Sequence, residues 1–371
     1  MSGTSVIIPA HNRAHLIGET LRSLLRQTRP ADEIIVVDDG STDDTAEAAQ
    51  KTFSDWTAEV CGPQSVVSSP SSALRQLPTA NCQLPTFKLI RQANAGPAAA
   101  RNAGFRASRG EFIHFFDSDD LAAPNKHAVQ LAALESTGTD IAYGPWLKGR
   151  FAGTAFIPAN QVLQQKGLPP EADLIQALLT HWSIVPHAAL FRRSIVEQAG
   201  GFPEDLFLGE DQLMFLRCLL AGAHVVHTPA TIEFYRVGEA GKITESKTGA
   251  ARRLREWARF LLKAREACLL KGIDPLNWFG YRRRLWEVRR DLQAVQCPDV
   301  ELMKQLQGLA PKGLAAAVCH TRRQLERWRG GLQQRLTGGR AHSSFKIGPL
   351  TPVQSEQLTR LGYSLGQGDV H

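Results

Sequence analysis

The run Phe112-Ile113-His114-Phe115-Phe116-Asp117-Ser118-Asp119-Asp120 constrains this chain more than any other stretch. Five mostly apolar residues pass directly into three carboxylates within four positions. A run of that length and aromatic content reads as a strand buried on both faces. The acids begin where it stops, and in an open parallel sheet ligands bind beyond the carboxyl ends of the strands. Three carboxylates held that close repel one another unless a cation joins them. Oxygen-only ligands favour a hard ion such as Mg²⁺ or Mn²⁺. A plain turn is the competing account, because Asp and Ser are also turn and cap residues.

The same pattern occurs earlier. Ser5-Val6-Ile7-Ile8-Pro9 reads as a first strand that Pro9 stops. Asn12 is a candidate cap for a helix whose apolar face is Ile17, Leu21, Leu24 and Leu25. Glu33 to Val37 reads as a second strand, which makes a right-handed βαβ unit and a parallel sheet. That strand runs into Asp38-Asp39-Gly40-Ser41-Thr42-Asp43-Asp44. Capping of the next helix accounts for Asp43 and Asp44, while Asp38 and Asp39 precede the glycine and are placed to face a ligand. Residues from about 54 to 86 are rich in Ser, Pro, Thr and Gln and read as a surface insertion. Phe87 to Ile90 resumes as a strand. Gly96 and Pro97 then open an alanine-rich helix with Arg101 about one turn inside. Arg101 can reach a phosphate or pair with a nearby acid.

Further on, Asp211 stands in the first turn of a helix with Glu210, either as a helix-start acid or as a general base. His181, His187, His224 and His227 invite a metal assignment, but His224 and His227 lie in a short strand and point to opposite faces, so they read as ordinary residues rather than a ligand pair; Trp182 reads as packing or as a substrate contact. After Tyr235-Arg236 the chain becomes basic. From residue 250 onward there are 22 Lys and Arg against 10 Asp and Glu, leaving 21 basic against 26 acidic before it. Residues 251–270 and 276–295 read as basic amphipathic helices, suited to a solvated surface or to an anionic membrane. Apolar content of 43% and charged content of 21% are those of an ordinary globular chain. No apolar run is long enough to span a bilayer, and the six scattered cysteines form neither a zinc motif nor a disulfide framework. A cytoplasmic protein is expected, with peripheral contact at the inner membrane face as its membrane option.

The motifs have a recognisable order. Val6-Ile7-Ile8-Pro9-Ala10-His11-Asn12, Val36-Val37-Asp38-Asp39-Gly40-Ser41-Thr42-Asp43, Asn94-Ala95-Gly96 with Ala100-Arg101-Asn102, Asp117-Ser118-Asp119-Asp120, Gly200-Gly201-Phe202 and Glu210-Asp211 together resemble the family 2 glycosyltransferases. The resemblance implies an α/β GT-A fold, Rossmann-like, with a mostly parallel central sheet flanked by helices over residues 1–240. Residues 241–371 would be a basic helical C-terminal extension. It implies inverting transfer of a single sugar from a nucleoside-diphosphate sugar, a UDP-sugar first, to a saccharide or lipid-linked acceptor in envelope polysaccharide or glycolipid synthesis. Pro9, His11, Asn12, Asp39, Arg101, Asp117, Ser118 and Asp119 would bind the donor nucleotide. Asp119 and Asp120 would hold Mn²⁺ or Mg²⁺, and Asp211 would be the catalytic base. Many relatives carry a His shortly after the Tyr-Arg pair, whereas Val237-Gly238 follows here. A nucleotidyltransferase would share acids and metal but lacks its Gly-rich loop with Lys. A dinucleotide oxidoreductase would need G-x-G-x-x-G where Pro9-Ala10-His11-Asn12 stands. A non-catalytic sugar-nucleotide or anion-binding module is the remaining alternative, with nucleic acid a poor fit.

Overall fold

β-Branched runs bounded by Gly, Pro and Asp set the first half of the molecule, seen here in a computed structural model that describes residues 3–61, 84–159, 162–165, 167–170, 173–238, 249–337 and 347–366. In chain order it runs β1 (Thr4–Ala10), α1 (Ile17–Leu25), β2 (Glu33–Asp39), α2 (Thr45–Cys61), β3 (Thr86–Gln92), α3 (Pro97–Ala107) and β4 (Phe112–Phe115). Next come β5 (Leu121–Ala122), α4 (Lys126–Thr137), β6 (Ile141–Tyr143), β7 (Trp146–Ala152), β8 (Ala155–Pro158), β9 (Val162–Leu163) and α5 (Leu174–Thr180). β10 (Ala189–Arg192), α6 (Arg193–Ala199), α7 (Glu210–Leu220), β11 (Val225–His227) and β12 (Glu233–Arg236) complete the first 240 residues. Then follow α8 (Ala250–Leu269), α9 (Phe279–Ala294), α10 (Val300–Leu309), α11 (Gly313–Thr337), β13 (Ile347–Gly348), α12 (Pro352–Arg360) and β14 (Ser364–Leu365).

The main sheet has the order β11-β6-β10-β4-β1-β2-β3. Only β10 runs against its neighbours, so the sheet is mostly parallel. With helices on it and a helical stretch after it, this is the arrangement that the GT-A resemblance implied. β1, β2 and β4 are buried along almost their whole length, as strands covered on both faces must be. α3 lies close on the sheet because Gly104 has no side chain: a Cβ there would stand 2.4 Å from Cγ2 of Ile7. Pro9 does not end β1. Its pairing with β2 continues through Ala10↔Asp38, while pairing with β4 stops at Ile7↔Phe115.

Several expectations change. Asn12 does not cap α1, which starts at Ile17 with no side-chain cap; its Oδ1 accepts from the Thr42 N–H at 2.8 Å instead. The insertion does not begin at 54, because α2 carries on to Cys61; residues 62–83 lie outside the described residues. A second sheet, β13-β9-β7-β12-β5 with β8 beside β7, was not legible at all. The last residues supply β13, α12 and β14, which pair with β9 and β8 and bury Leu358 beside Phe156 and Phe234. Beyond residue 249 the helices share one apolar core with the sheet: Phe260, Leu261, Tyr281 and Leu285 join Phe115, Phe191 and Phe215. Trp182 packs in that core, its ring 5.5 Å from Tyr143 and 5.6 Å from Phe215. No helix among the described residues is long and apolar enough to cross a membrane.

Lys126 and Glu233 tie α4 to β12 by an ion pair of 2.8 Å, both side chains fully buried. Burial pushes the Glu233 carboxyl up to about 8 against the pull of the Lys126 charge, and burial lowers Lys126 in turn. Replacing one partner strands the other in the interior. Lys126→Met should therefore cost about 3–5 kcal/mol in urea unfolding. The double variant Lys126→Met/Glu233→Leu should recover most of that loss.

Candidate active site

β4 delivers its acids where the sheet ends. The last bond to β1 runs from Phe116 N–H to Ile7 O at 2.9 Å, and the next four residues turn across the strand ends. Asp117 accepts through Oδ1 from the Arg101 guanidinium at 2.8 Å, and its Oδ2 lies 3.1 Å from Nδ1 of His187. Asp120 is wholly buried; its Oδ1 accepts from the Arg236 backbone N–H at 2.8 Å, and its Oδ2 is 3.4 Å from the same Nδ1. Ser118 is buried, and its carbonyl accepts from the Thr20 hydroxyl at 3.1 Å. Asp119 faces another way, with Nε of Arg13 3.7 Å from its Oδ2.

One group of ligand-type atoms among the described residues converges within 4.8 Å, on Asp117, Asp120 and His187. The expected metal pair was Asp119 and Asp120; Asp120 belongs to this group, beside Asp117 and His187, while Asp119 lies outside it. Two carboxylate oxygens and an imidazole nitrogen suit a divalent ion of the Mn²⁺ kind. Nδ1 of His187 lies between the two carboxylates, 3.1 Å from Asp117 and 3.4 Å from Asp120. His187 was one of four histidines that invited a metal assignment, but nothing local ties it to these acids. It sits on a 3-10 turn, Pro186–Ala188, and only the antiparallel return of β10 beside β4 carries it to the acids. Its carbonyl also accepts from Nε2 of the buried His114 at 3.1 Å, and Nδ1 of that ring meets Nε2 of His127 at 3.0 Å. Burial holds both His114 and His127 well down from the usual imidazole range.

Arg101 joins the acids to α7. Besides Asp117, its guanidinium donates to Glu210 Oε1 at 3.1 Å and lies 5.2 Å from the centroid of the Phe202 ring. It is buried, and the charges of Asp117 and Glu210 outweigh that burial and raise its pKa. The ion-pair account of Arg101 is thus the one the geometry displays. Its neighbour Asn102 clamps the Gly200-Gly201-Phe202 turn, accepting from Phe202 N–H at 2.9 Å and donating to Phe202 O at 2.8 Å. A Cβ on Gly201, at φ +71°, would stand 2.7 Å from Oδ1 of Asn102, so that turn needs glycine.

Glu210 and Asp211 open α7 together. Burial and the Asp211 charge push the Glu210 carboxyl up to about 7, against Arg101. Burial likewise raises the Asp211 carboxyl, Arg101 and Gln212 opposing it. Asp211 accepts from the Gln212 backbone N–H at 2.7 Å, and the Gln212 amide donates to Ile184 O, three residues before His187. Gln212 therefore fixes the acid against the segment that carries the histidine, a link the sequence does not announce.

The expected nucleoside side lies at the neighbouring strand ends. Pro9 and Asn12 are half-buried there, and His11 is exposed. His11 Nδ1 is 2.9 Å from Asp39 O and 3.1 Å from the Asn94 amide. Asp39 is more buried and more occupied than its expected part in base binding requires. Its Oδ1 accepts from Ala95 N–H at 2.9 Å and Gln92 Nε2 at 2.8 Å, and its Oδ2 from Gly96 N–H at 2.8 Å. Asp39 thus organises the 92–96 turn and keeps about one of its roughly four acceptor positions for a ligand.

Residues 5–61 and 71–200 match the model of Glycosyl transferase family 2. An uncharacterized glycosyltransferase of Rickettsia conorii is 29% identical over 226 residues, which are 57% of this chain and 29% of that protein. The Escherichia coli enzyme WfgD, a UDP-Glc:alpha-D-GlcNAc-diphosphoundecaprenol beta-1,3-glucosyltransferase, is 26% identical over 171 residues, 44% of this chain and 56% of that protein. The S. aureus TarS 1-349 structure in complex with UDP-GlcNAc aligns with a TM-score of 0.48 at 17% identity, over 94% of this chain and 97% of that one. The chain thus spans under a third of the Rickettsia relative's length and just over half of WfgD. With half of its residues matched by the family model, and the motifs of that match gathered round one set of strand ends, the chain belongs to glycosyl transferase family 2.

Proposed function

We propose that the protein transfers a single sugar, with inversion, from a nucleoside-diphosphate sugar to an acceptor hydroxyl. The observation that carries this is the bridge made by Arg101: one buried guanidinium joins Asp117 of the acid loop to Glu210, next to Asp211. Asp117, Asp120 and His187 are the residues that would hold a divalent cation, Mn²⁺ or Mg²⁺. Bound there, the ion would neutralise charge on the leaving diphosphate. Pro9, His11, Asn12 and Asp39 would receive the nucleoside, with Ser118 and Asp119 flanking it. A nucleoside diphosphate is a good leaving group, so no protein acid has to protonate it, unlike the leaving oxygen in glycoside hydrolysis. One carboxylate suffices to take the acceptor proton, and Asp211 fits that part: a raised pKa places a base nearer the working pH. UDP is the first nucleotide to test. The diphosphoundecaprenol-linked acceptor of WfgD supports a lipid-linked acceptor for this chain too.

The base must be ionised to act. Burial raises its pKa, so the rate should rise with pH through a limb displaced above the usual carboxylate range, and fall as acid protonates it. Asp211→Asn should lower turnover by roughly 10²–10⁴ and remove that limb, while donor binding by calorimetry stays within a few-fold. An unaltered rate, with tight binding and no turnover in the wild type, would leave a binding module instead.

Metal dependence is tested by a thermal-shift screen of nucleoside-diphosphate sugars with and without Mn²⁺. The correct donor should raise the midpoint only with the ion, and EDTA should reverse it. His187→Ala should weaken Mn²⁺ binding, read directly by calorimetry, by at least about tenfold. Asp119→Asn should weaken it much less, and the opposite ranking would return the metal to Asp119.

A further inference from the structure

Two basic amphipathic segments stand out in the sequence, and the fold uses the apolar side of both internally. Phe260 and Leu261 of α8 and Tyr281 and Leu285 of α9 are buried in the core shared with α7. α11 behaves differently. Between residues 313 and 325 its one buried side chain is Cys319. Leu314, Val318 and Leu325 are 83%, 46% and 51% exposed. At 3.6 residues per turn these three fall within about 40° of one another, and Cys319 lies roughly 120° round the helix from the middle of their stripe. The helix therefore docks by one narrow face and turns an aliphatic stripe to solvent. In the sequence, apolar residues continue at helical spacing with Trp328, Leu332 and Leu336.

Charge accompanies the stripe. Residues 311–337 contain Lys312, Arg322, Arg323, Arg327, Arg329 and Arg335 against Glu326 alone. Arg322 lies over the Phe279 ring, 5.7 Å from its centroid, and Arg323 is drawn toward Asp291 at 3.7 Å, so both turn to the docked side. An exposed aliphatic stripe on a strongly cationic helix is the pattern of a helix lying in a membrane interface. Juxtaposed cationic residues each strengthen attraction to anionic lipid. A second copy of the chain would bring an equally basic helix against this one, and like charges disfavour that meeting.

We propose that α11 lies flat on an anionic lipid surface, with Leu314, Val318 and Leu325 inserted between the headgroups and the net positive charge of the helix drawing it to the lipid phosphates. This separates α11 from α8 and α9, whose charge alone had made them equal candidates. Lipid binding of this kind is independent of turnover, so vesicle binding and sugar transfer are read separately.

The test is co-sedimentation of the full chain with vesicles. One set is phosphatidylcholine alone; the other contains about one-third phosphatidylglycerol. Binding to the anionic set should be at least about tenfold tighter and should fall steeply between about 0.1 M and 0.5 M salt. The variant Leu314→Ser/Val318→Ser/Leu325→Ser should lose about tenfold or more, with an unchanged melting midpoint. Leu314→Ser alone should shift binding in the same direction by a smaller factor, which keeps the test open if the triple variant fails to fold. Equal binding to both vesicle sets, or wild-type binding by the variants, would overturn the proposal. So would light scattering that finds a dimer which the triple variant dissolves.

Discussion

The buried guanidinium of Arg101 is the constraint on which the site depends. Four carboxylates, on Asp117, Asp120, Glu210 and Asp211, lie in or beside a desolvated region where each would otherwise be expelled or protonated. Arg101 sits between two of them and holds the Asp117 carboxyl far below its ordinary range, His187 helping. It does so from the second turn of α3, whose close approach to the sheet depends on Gly104. The same helix places Asn102 on the Gly-Gly-Phe turn ahead of α7. One short helix thus sets both the acid loop and the approach to the candidate base. The unequal pKa values follow from that geometry: Asp117, facing the guanidinium, is held down, while Glu210 and Asp211, side by side and desolvated, move up.

Local pattern carried much of this. Strands β1, β2 and β4 were legible because residues buried on both faces form continuous apolar runs, and α7 because acids open it. The acid loop, Arg101 and Asp211 were legible from composition at strand and helix ends. What failed was anything set by long-range pairing. His187 reaches Asp117 across seventy positions of chain, and the short strands β5, β8, β9, β13 and β14 hold too few residues for any period to emerge. Asn12 misled because it is a good cap residue; its φ of +52° and its bond to Thr42 show it joining two strand-end turns instead. Asp119 shows another limit: it stands in the same loop as Asp117 and Asp120 but lies beside Arg13, outside their cluster. A sequence motif gives the order of acids along a turn, not the direction in which each points.

The Tyr235-Arg236 pair gains a physical part from the second sheet. β12 brings Arg236 beneath the acid loop, where its backbone N–H meets Asp120 and its Nε donates to Asp119 O at 2.8 Å. The guanidinium also pairs with Glu19 of α1 and stacks 4.2 Å from the centroid of Phe151. Tyr235 places its ring 5.3 Å from His187. The acid loop is therefore held from below by a sheet that owes its outer strands to the last residues of the chain. The relatives' histidine beyond this pair has no counterpart in Val237-Gly238, and residues 239–248 lie outside the described residues.

α8 also leans on the approach to Asp211, the candidate base. The Phe260 ring stands about 3.1 Å from where a Cβ on Gly209 would be, one residue ahead of Glu210. Glu256 accepts from the Phe207 N–H at 2.8 Å, and Arg252 lies over the Phe207 ring. The family match ends at residue 200, short of all this. Ending the molecule at residue 240, where the expected GT-A part stops, would keep Asp211 yet strip the brace behind it and lay open the apolar flank of α7. The folded unit of this protein is larger than its signature, and its limits are drawn by packing.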